Sequence, residues 1–411
     1  MGRLSGGVAA QGEAAQGLRS EVRSSRLEAV VVGAGPAGSA AALTLARSGV
    51  SVLLLDRTEF PRWKVCGGCL GPAAMRILDE LGLGGRVREA GGVPLERMLL
   101  RAGSRQARIP LQGSLALSRN ALDSLLAQAV ADAGGEVRLG VGVRRARQDG
   151  DSAELRVGVG GDEVEIQAGV VVDASGLGGL RMEGERPAES VAETSRTGLG
   201  AIFPPGGTEW LPPGELWMTV GPEGYVGMVR LEDGSVNVAA AVEPSALRRD
   251  GPRGVVERIV GSAGHRLPGE DPVRGWRGTP ALTRAPARAG QSRVLRAGDA
   301  AGYVEPFTGE GMGWALAAGV GVAARAREVM ANGAMGDFGA WDRTRRRSIA
   351  RRQRLCRLLA AGLRRRRLVE LSVALLEVVP GLAAPLVRST AGVSPAVLRW
   401  AGEVPATAGS R

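Results

Sequence analysis

Ala29–Val32 is a short apolar run, and it is followed by Gly33-Ala34-Gly35-Pro36-Ala37-Gly38. A small-residue stretch then leads to Arg47, a second apolar run covers Val52–Leu55, and Asp56 closes the series. Few main-chain paths satisfy that order. Gly33 allows a tight turn that a side chain would strain, Gly35 lets backbone approach a pyrophosphate, and Gly38 lets the helix close on the strand. The first helical turn, with Ala37 in it, aims unpaired amides at an anion. Asp56, 23 residues after Gly33, stands where an acid meets ribose hydroxyls. The segment predicts a strand–helix–strand unit of a parallel sheet that binds a dinucleotide.

A second segment narrows the ligand. After Val294, Leu295 and Ala297 come Gly298-Asp299, then a glycine-rich stretch through Gly309, Gly311 and Met312 that opens into a small-residue helix reaching Gly319. A carboxylate fixed at a strand end can hold the hydroxyls of a sugar-like chain, and the glycines after it admit backbone amides to an electron-rich group. An NAD enzyme has no ribityl chain that needs this second carboxylate. The paired motifs, about 260 residues apart, therefore point to FAD. The helix opening at Gly309–Gly313 is expected to turn its positive end to the flavin N1–C2=O edge and stabilise negative charge there.

Five segments in order make the reading specific: the Gly33 fingerprint; Phe60-Pro61-Arg62-Trp63-Lys64-Val65-Cys66-Gly67-Gly68; Ser118-Arg119-Asn120-Ala121-Leu122-Asp123; Val171-Val172-Asp173-Ala174-Ser175-Gly176; and the Gly298 stretch. In these the chain resembles the p-hydroxybenzoate-hydroxylase-fold flavoproteins, and within them the geranylgeranyl reductase family. The resemblance implies non-covalent FAD reduced by NAD(P)H, with a hydrophobic substrate over the isoalloxazine and under a second domain. It also implies that Arg119 reaches the FAD phosphates and that Cys66 belongs to a loop beside the flavin. The expected cofactor contacts are Gly33, Gly35, Ala37, Gly38, Asp56, Arg57, Cys66, Gly67, Arg119, Val143, Gly298, Asp299, Gly309, Gly311 and Met312. Cys66 and Tyr225 are the catalytic candidates, and no metal ligand set is read.

The two FAD segments lie far apart, so the expected nucleotide domain is discontinuous: residues 27–95, 112–185 and 286–335. The expected fold is α/β, a Rossmann-like FAD domain with an inserted, mainly antiparallel substrate sheet (96–111 and 186–285) and a helical region over 336–411. Leu122, Leu125, Leu126, Ala129 and Val130 make a helical stripe, and Val137, Leu139, Val141 and Val143 alternate as one strand. Glu154–Val159 and Glu163–Gln167 read as a hairpin, with Val170–Val172 returning to the central sheet. Trp217–Val220, Tyr225–Leu231 and Val236–Val242 belong to the substrate sheet, joined by the hairpin Arg97–Ile109. Residues 1–26 are polar and read as a disordered tail rather than a signal peptide. Three cysteines in 411 residues provide no disulfide framework, which suits a reducing cytoplasm.

Chemistry is bounded by what is scarce. One histidine, His265, in a polar turn all but excludes histidine triads and histidine metal clusters, leaving the cofactor to carry the hard steps. Cys66-Gly67-Gly68-Cys69 reads either as a redox dithiol or as a flavin-side loop with an incidental second thiol. Geranylgeranyl reductases carry Y-x-W-x-F-P along the lipid cavity. Here Tyr225 stands, with Gly227, Val229 and Arg230 at the other three positions. The W-x-W-x-I-P of flavin halogenases is absent. The leading expectation is NAD(P)H-dependent hydroxylation of a phenolic or polyketide-like molecule. The alternative is saturation of isoprenoid double bonds, and a non-enzymatic flavin-binding or membrane-docked protein stands third.

The chain carries 53 Lys and Arg against 42 Asp and Glu, a net charge of +11. Residues 343–367 hold twelve arginines and no acid, so this segment alone accounts for the excess. Aromatic residues and a recognition motif are missing from it, which argues against nucleic acid. Leu355, Leu358, Leu359 and Leu363 recur at helical spacing among the arginines. The expectation is peripheral contact with anionic membrane by a cytoplasmic enzyme; oligomeric state is not legible.

Overall fold

The structure, a computed structural model, describes residues 27–402 apart from 150, 160–161, 184–188, 270, 287–289, 292, 306, 308, 333–337, 346–350 and 385–391. The tail 1–26 lies outside the described residues. The chain begins β1 (Leu27–Val32), α1 (Pro36–Arg47) and β2 (Val52–Asp56), with proline at the first turn of α1 where its missing N–H costs nothing. β3 (Cys69–Leu70), α2 (Pro72–Glu80) and α3 (Gly84–Glu89) lead to the hairpin β4 (Val93–Ala102) and β5 (Arg105–Ala116). Next come α4 (Arg119–Asp132), capped by the Ser118 hydroxyl accepting from Ala121 N, then β6 (Glu136–Leu139) and β7 (Gly142–Asp149).

β8 (Ser152–Val159) and β9 (Asp162–Asp173) form the expected hairpin, and β10 (Glu189–Val191) precedes β11 (Thr197–Phe203). β12 (Glu215–Gly221), β13 (Gly224–Arg230) and β14 (Val236–Val242) follow, then α5 (Pro244–Gly261). β15 (Arg274–Ala281), β16 (Arg284–Pro286), β17 (Gly290–Gln291) and β18 (Val294–Arg296) return the chain to the nucleotide sheet. After a 3-10 turn at Gly298–Ala301 come α6 (Gly311–Asn332), α7 (Phe338–Arg345), α8 (Arg351–Gly362), α9 (Arg366–Val378) and α10 (Pro395–Gly402).

Two large sheets organise these elements. The first runs β17-β18-β9-β1-β2-β6, with β18, β9, β1, β2 and β6 mutually parallel, and β8 and β7 extend from β9. Its central strands are apolar along their length because α1 and α6 cover one side and the β7–β8 side covers the other. The second runs β15-β11-β14-β13-β12-β4-β5-β3 and is antiparallel except where β12 meets β4.

Three sequence expectations need correction. The alternating run Val137–Val143 is two strands, broken at Gly140 (φ 75°), where Val141 N turns inward to donate to the Asp56 carbonyl. Val170–Val172 is not a separate strand but the end of the twelve-residue β9. The strand-rich stretch also contains α5, whose apolar residues Val255, Val256, Ile259 and Val260 pack on the back of β13 and β14. Its pattern was masked by a break at Gly251-Pro252.

Candidate functional site

The carboxyl ends of β1, β2, β9 and β18 gather the expected nucleotide contacts. Gly33 sits at φ 102°, and a Cβ there would land on the Ala174 carbonyl at the end of β9. A Cβ on Gly38 would land on the Gly33 carbonyl. Both glycines are therefore demanded by the turn itself. Ser39 N donates to Gly35 O at 2.9 Å as the first helical bond. The N–H groups of Ala37 and Gly38, in the first turn, have no partner inside the helix.

Gly35 keeps the space above that turn open to two guanidiniums. Arg119 Nη2 lies 3.4 Å and Arg62 Nη2 3.6 Å from where its Cβ would stand. Both are anchored by Asp123, fully buried on α4. Arg119 grips it with Nε and Nη2 at 2.9 and 2.7 Å, and Arg62 Nη2 lies at 3.1 Å. Burial works against the Arg119 charge, but Asp123 and the neighbouring Cys66 sulfur outweigh it and hold its pKa above the ordinary value. Arg62 and Asp123 stand outside the expected contacts, although both lie inside the strings Phe60–Gly68 and Ser118–Asp123 that the sequence singles out.

Asp56 closes the same end of the sheet. One carboxylate oxygen accepts from Ala34 N at 2.8 Å, the other from Thr58 N at 2.9 Å, and Arg62 approaches at 3.4 Å. Arg57 is exposed beside it, next to Gly142 and the half-buried Val143 at the start of β7. On the opposite side, Gly298 (φ 58°) places the Asp299 turn against α1, its Cβ position 2.8 Å from the Ala37 Cβ. The Asp299 carboxylate is half-buried and has no hydrogen bond among the described residues. Gly309 (φ 83°), Gly311 and Met312 then open α6. Asp173 does not face the cleft; it is fully buried and accepts from Ser175 N, Ser175 Oγ and Leu180 N.

The loop Phe60–Gly68 roofs this cleft. Asn237 Nδ2 donates to Cys66 O at 2.9 Å, and Gly200 leaves room for Val65 and Trp63 on β11. Lys64, the chain's one lysine, reaches the Ser175-Gly176 turn, its Nζ 3.3 Å from the Gly176 Cβ position. Burial lowers its pKa, as do Arg119 and Arg62, against Asp299 and Asp123. Cys66 and Cys69 are both free thiols. Burial, with Cys66 nearby, pushes the Cys69 thiol up to about 12, so it carries no thiolate at neutral pH.

These parts fit FAD. Amides without helical partners and two guanidiniums would hold the pyrophosphate, Asp56 the ribose, and Asp299 the ribityl hydroxyls. The family model described as FAD binding domain matches residues 26–334. The chain belongs to that family. FAD held by such a protein supplies two-electron redox chemistry.

The relatives of this FAD-binding protein point the same way. It is 28% identical to the menaquinone reductase of Mycolicibacterium smegmatis over 378 residues, covering 82% of this chain and 84% of that one. It is 34% identical to the geranylgeranyl diphosphate reductase of Rhodobacter capsulatus over 172 residues, 40% of this chain and 41% of that one. Among solved structures, a flavin-dependent brominase superposes with TM-score 0.75 at 18% identity, covering 92% and 98% of the two chains. A p-nitrophenol 4-monooxygenase from Pseudomonas putida gives 0.70 at 17% identity, covering 90% and 98%. At those identities the structures speak for the fold alone, that of the p-hydroxybenzoate-hydroxylase flavoproteins.

The face of the second sheet that meets the Gly298 segment is apolar. Met98, Ile109, Met218, Tyr225 and Leu282 pack there with Tyr303 and Phe307. Tyr225 is buried, edge-to-face with Phe307 at 5.1 Å between ring centroids. Arg196 lies 5.6 Å from the Tyr225 ring and pairs with Glu305 at 2.8 Å, both nearly inaccessible. Burial raises both phenol pKa values well above the ordinary value, helped by Glu305 for Tyr225 and by Asp299 for Tyr303. Glu305 is likewise raised by burial, against the pull of Arg196. This Arg196–Glu305 pair escaped sequence reading because its members are 109 residues apart. His265 packs against Trp217 with ring centroids 4.3 Å apart and the planes tilted by 51°, on the far side of the sheet.

Proposed function

We propose that this protein is an NAD(P)H-fed, FAD-dependent reductase of a hydrophobic isoprenoid substrate. The observation that carries the reading is the apolar face over the Gly298 segment, whose two phenols, Tyr225 and Tyr303, are both pushed toward their protonated forms. Saturating a C=C bond adds a hydride at one carbon and a proton at the other. FAD held in the cleft and reduced would supply the hydride, and the buried Tyr225 phenol is suited to supply the proton. Activating a phenolic substrate for hydroxylation needs a base instead; a protonated phenol does not serve, and the Glu305 carboxylate beside them is engaged by Arg196. The similarity to a menaquinone reductase across four-fifths of both chains supports an isoprenoid quinone as the substrate class.

A second reading, hydroxylation of a phenolic or polyketide-like molecule, is favoured by one feature. Tyr225, Gly227 and Val229 share a face of β13, yet Gly227 and Val229 stand where geranylgeranyl reductases carry tryptophan and phenylalanine. Met218, the cross-strand partner of Gly227, fills the gap, its sulfur 2.9 Å from the Gly227 Cβ position. The experiment separates the two. FAD-loaded protein reduced by NADPH is mixed, without oxygen, with a menaquinone or a geranylgeranyl compound. Flavin reoxidation with a product gaining two hydrogens supports the reductase. Reoxidation only when oxygen is admitted, with a product gaining one oxygen, overturns it in favour of the hydroxylase.

A further inference from the structure

Helix α9 is apolar on two opposite faces. Val369, Val373 and Leu376 turn inward and join the cluster containing Met98, Ile109 and Tyr225. On the other side Leu368, Leu371, Leu375 and Val378 are 48, 69, 55 and 78% exposed. At 3.6 residues per turn these four fall within about 80° of helix circumference. Val379 and Leu382 continue the exposed run past the helix end. Single exposed leucines are ordinary, but a contiguous stripe of this size marks a surface that is covered in use.

The rim of the stripe is cationic. Arg365, Arg366 and Arg367, at the start of the helix, are exposed. Arg366 pairs with Glu370 at 2.8 Å, and Arg105 lies 3.9 Å from Glu377, so both acids of the helix already face cations. Arg365 and Arg367 make no ion pair among the described residues. Arg365 and Arg367, at the start of α9, also oppose its dipole, an arrangement that an external anion would offset. Arg364 is not part of this rim, because it turns inward to Glu243 and the Thr194 carbonyl. The side chain of Leu355 lies outside the described residues.

We propose that α9 docks this protein on an anionic phospholipid bilayer, with the leucine stripe in the acyl boundary and Arg365 and Arg367 among the phosphates. No helix of the described residues is long and apolar enough to cross a membrane, so α9 lies on the surface. A second copy of the chain is a poorer occupant, since pairing two such faces brings arginine rims together, and the acids of the helix, Glu370 and Glu377, already face Arg366 and Arg105. Docking here would set the outer wall of the Tyr225 cluster at the lipid, so that an apolar substrate enters without crossing water.

The test uses full-length, FAD-loaded protein sedimented with vesicles of phosphatidylglycerol or phosphatidylcholine. Wild type is expected to pellet with phosphatidylglycerol at low salt, less at high salt, and little with phosphatidylcholine. R365S/R367S should weaken binding roughly fivefold per arginine removed. L371S/L375S/V378S should abolish binding at either salt while retaining FAD. Wild type remaining in the supernatant with phosphatidylglycerol at low salt overturns the proposal. So does binding unchanged in both variants, or a concentration-dependent dimer on gel filtration that the leucine variant abolishes without any vesicle binding. The readout is mass partition, so it stands apart from which reaction the flavin performs.

Discussion

At the scale of single residues, the cofactor cleft depends on a few atoms that have no substitute. The Asp299 carboxylate is the half-buried acid of the Gly298 turn, and the Gly35 Cβ position opens directly on two guanidiniums. Asp299→Ala and Gly35→Val are therefore expected to yield folded but largely colourless protein, read by flavin absorbance against unchanged circular dichroism. Full FAD content in both would remove the assignment of the cleft. The two thiols separate in the same way. Cys69 is bonded to the Gly67 carbonyl at 3.4 Å and held protonated, whereas Cys66 touches Arg119. Cys69→Ser should keep turnover near wild type, and Cys66→Ser should shift the flavin spectrum. An extra two-electron equivalent in an anaerobic dithionite titration, lost in Cys69→Ser, would restore the dithiol reading. The buried Arg196–Glu305 pair predicts a third result. Glu305→Gln leaves the buried Arg196 guanidinium with only Glu243, at 3.5 Å, and should cost about 3 kcal/mol, seen as a fall in Tm. Replacing both partners by apolar residues should recover much of that loss.

At the scale of elements, the legible parts were those in which local sequence and tertiary role coincide. The β1–α1–β2 unit, the β8–β9 hairpin and the small-residue start of α6 all carry their reason in their own residues. Gly319 is an example, since a Cβ there would strike the Ala37 carbonyl where α6 crosses α1. Gly319→Leu is expected to push the helices apart, lower stability by about 1–3 kcal/mol and weaken FAD binding together. What stayed hidden depends on partners distant in sequence. β6 and β7 read as one strand because alternation continues through Gly140, while the break is set by Asp56, 85 residues earlier by number. The inward turn of Asp123 toward Arg62 likewise needs α4 and the Phe60 loop to meet first. His265 shows how an element sets chemistry: burial against Trp217, with Arg101 nearby, lowers its pKa to about 4. A folded pKa below the ordinary 6.5 stabilises the fold above pH 6.5, and that stability drains as pH falls from 6.5 to 4. The Tm of wild type should drop across that window more steeply than that of His265→Phe.

At the scale of the whole molecule, one chain of charged contacts ties the C-terminal helices to the site. Arg364, between α8 and α9, bonds Glu243 and the Thr194 carbonyl. Glu243 lies 3.5 Å from Arg196, which holds Glu305 beside Tyr225. The inward face of α9 packs on the same apolar cluster as Tyr225 and Phe307. Removing Arg364 should therefore loosen α9 as a wall of the substrate cluster while leaving the FAD cleft, built from other elements, intact. Arg364→Ala is expected to retain flavin, to be cut faster by protease near residues 362–366, and to show a higher KM with a smaller change in kcat. A conservative Arg364→Lys should restore part of the protease resistance by renewing one of the two bonds. If Arg364→Ala instead loses FAD and resists protease as wild type does, the Arg364–Glu243 contact belongs to the nucleotide cleft rather than to the substrate wall.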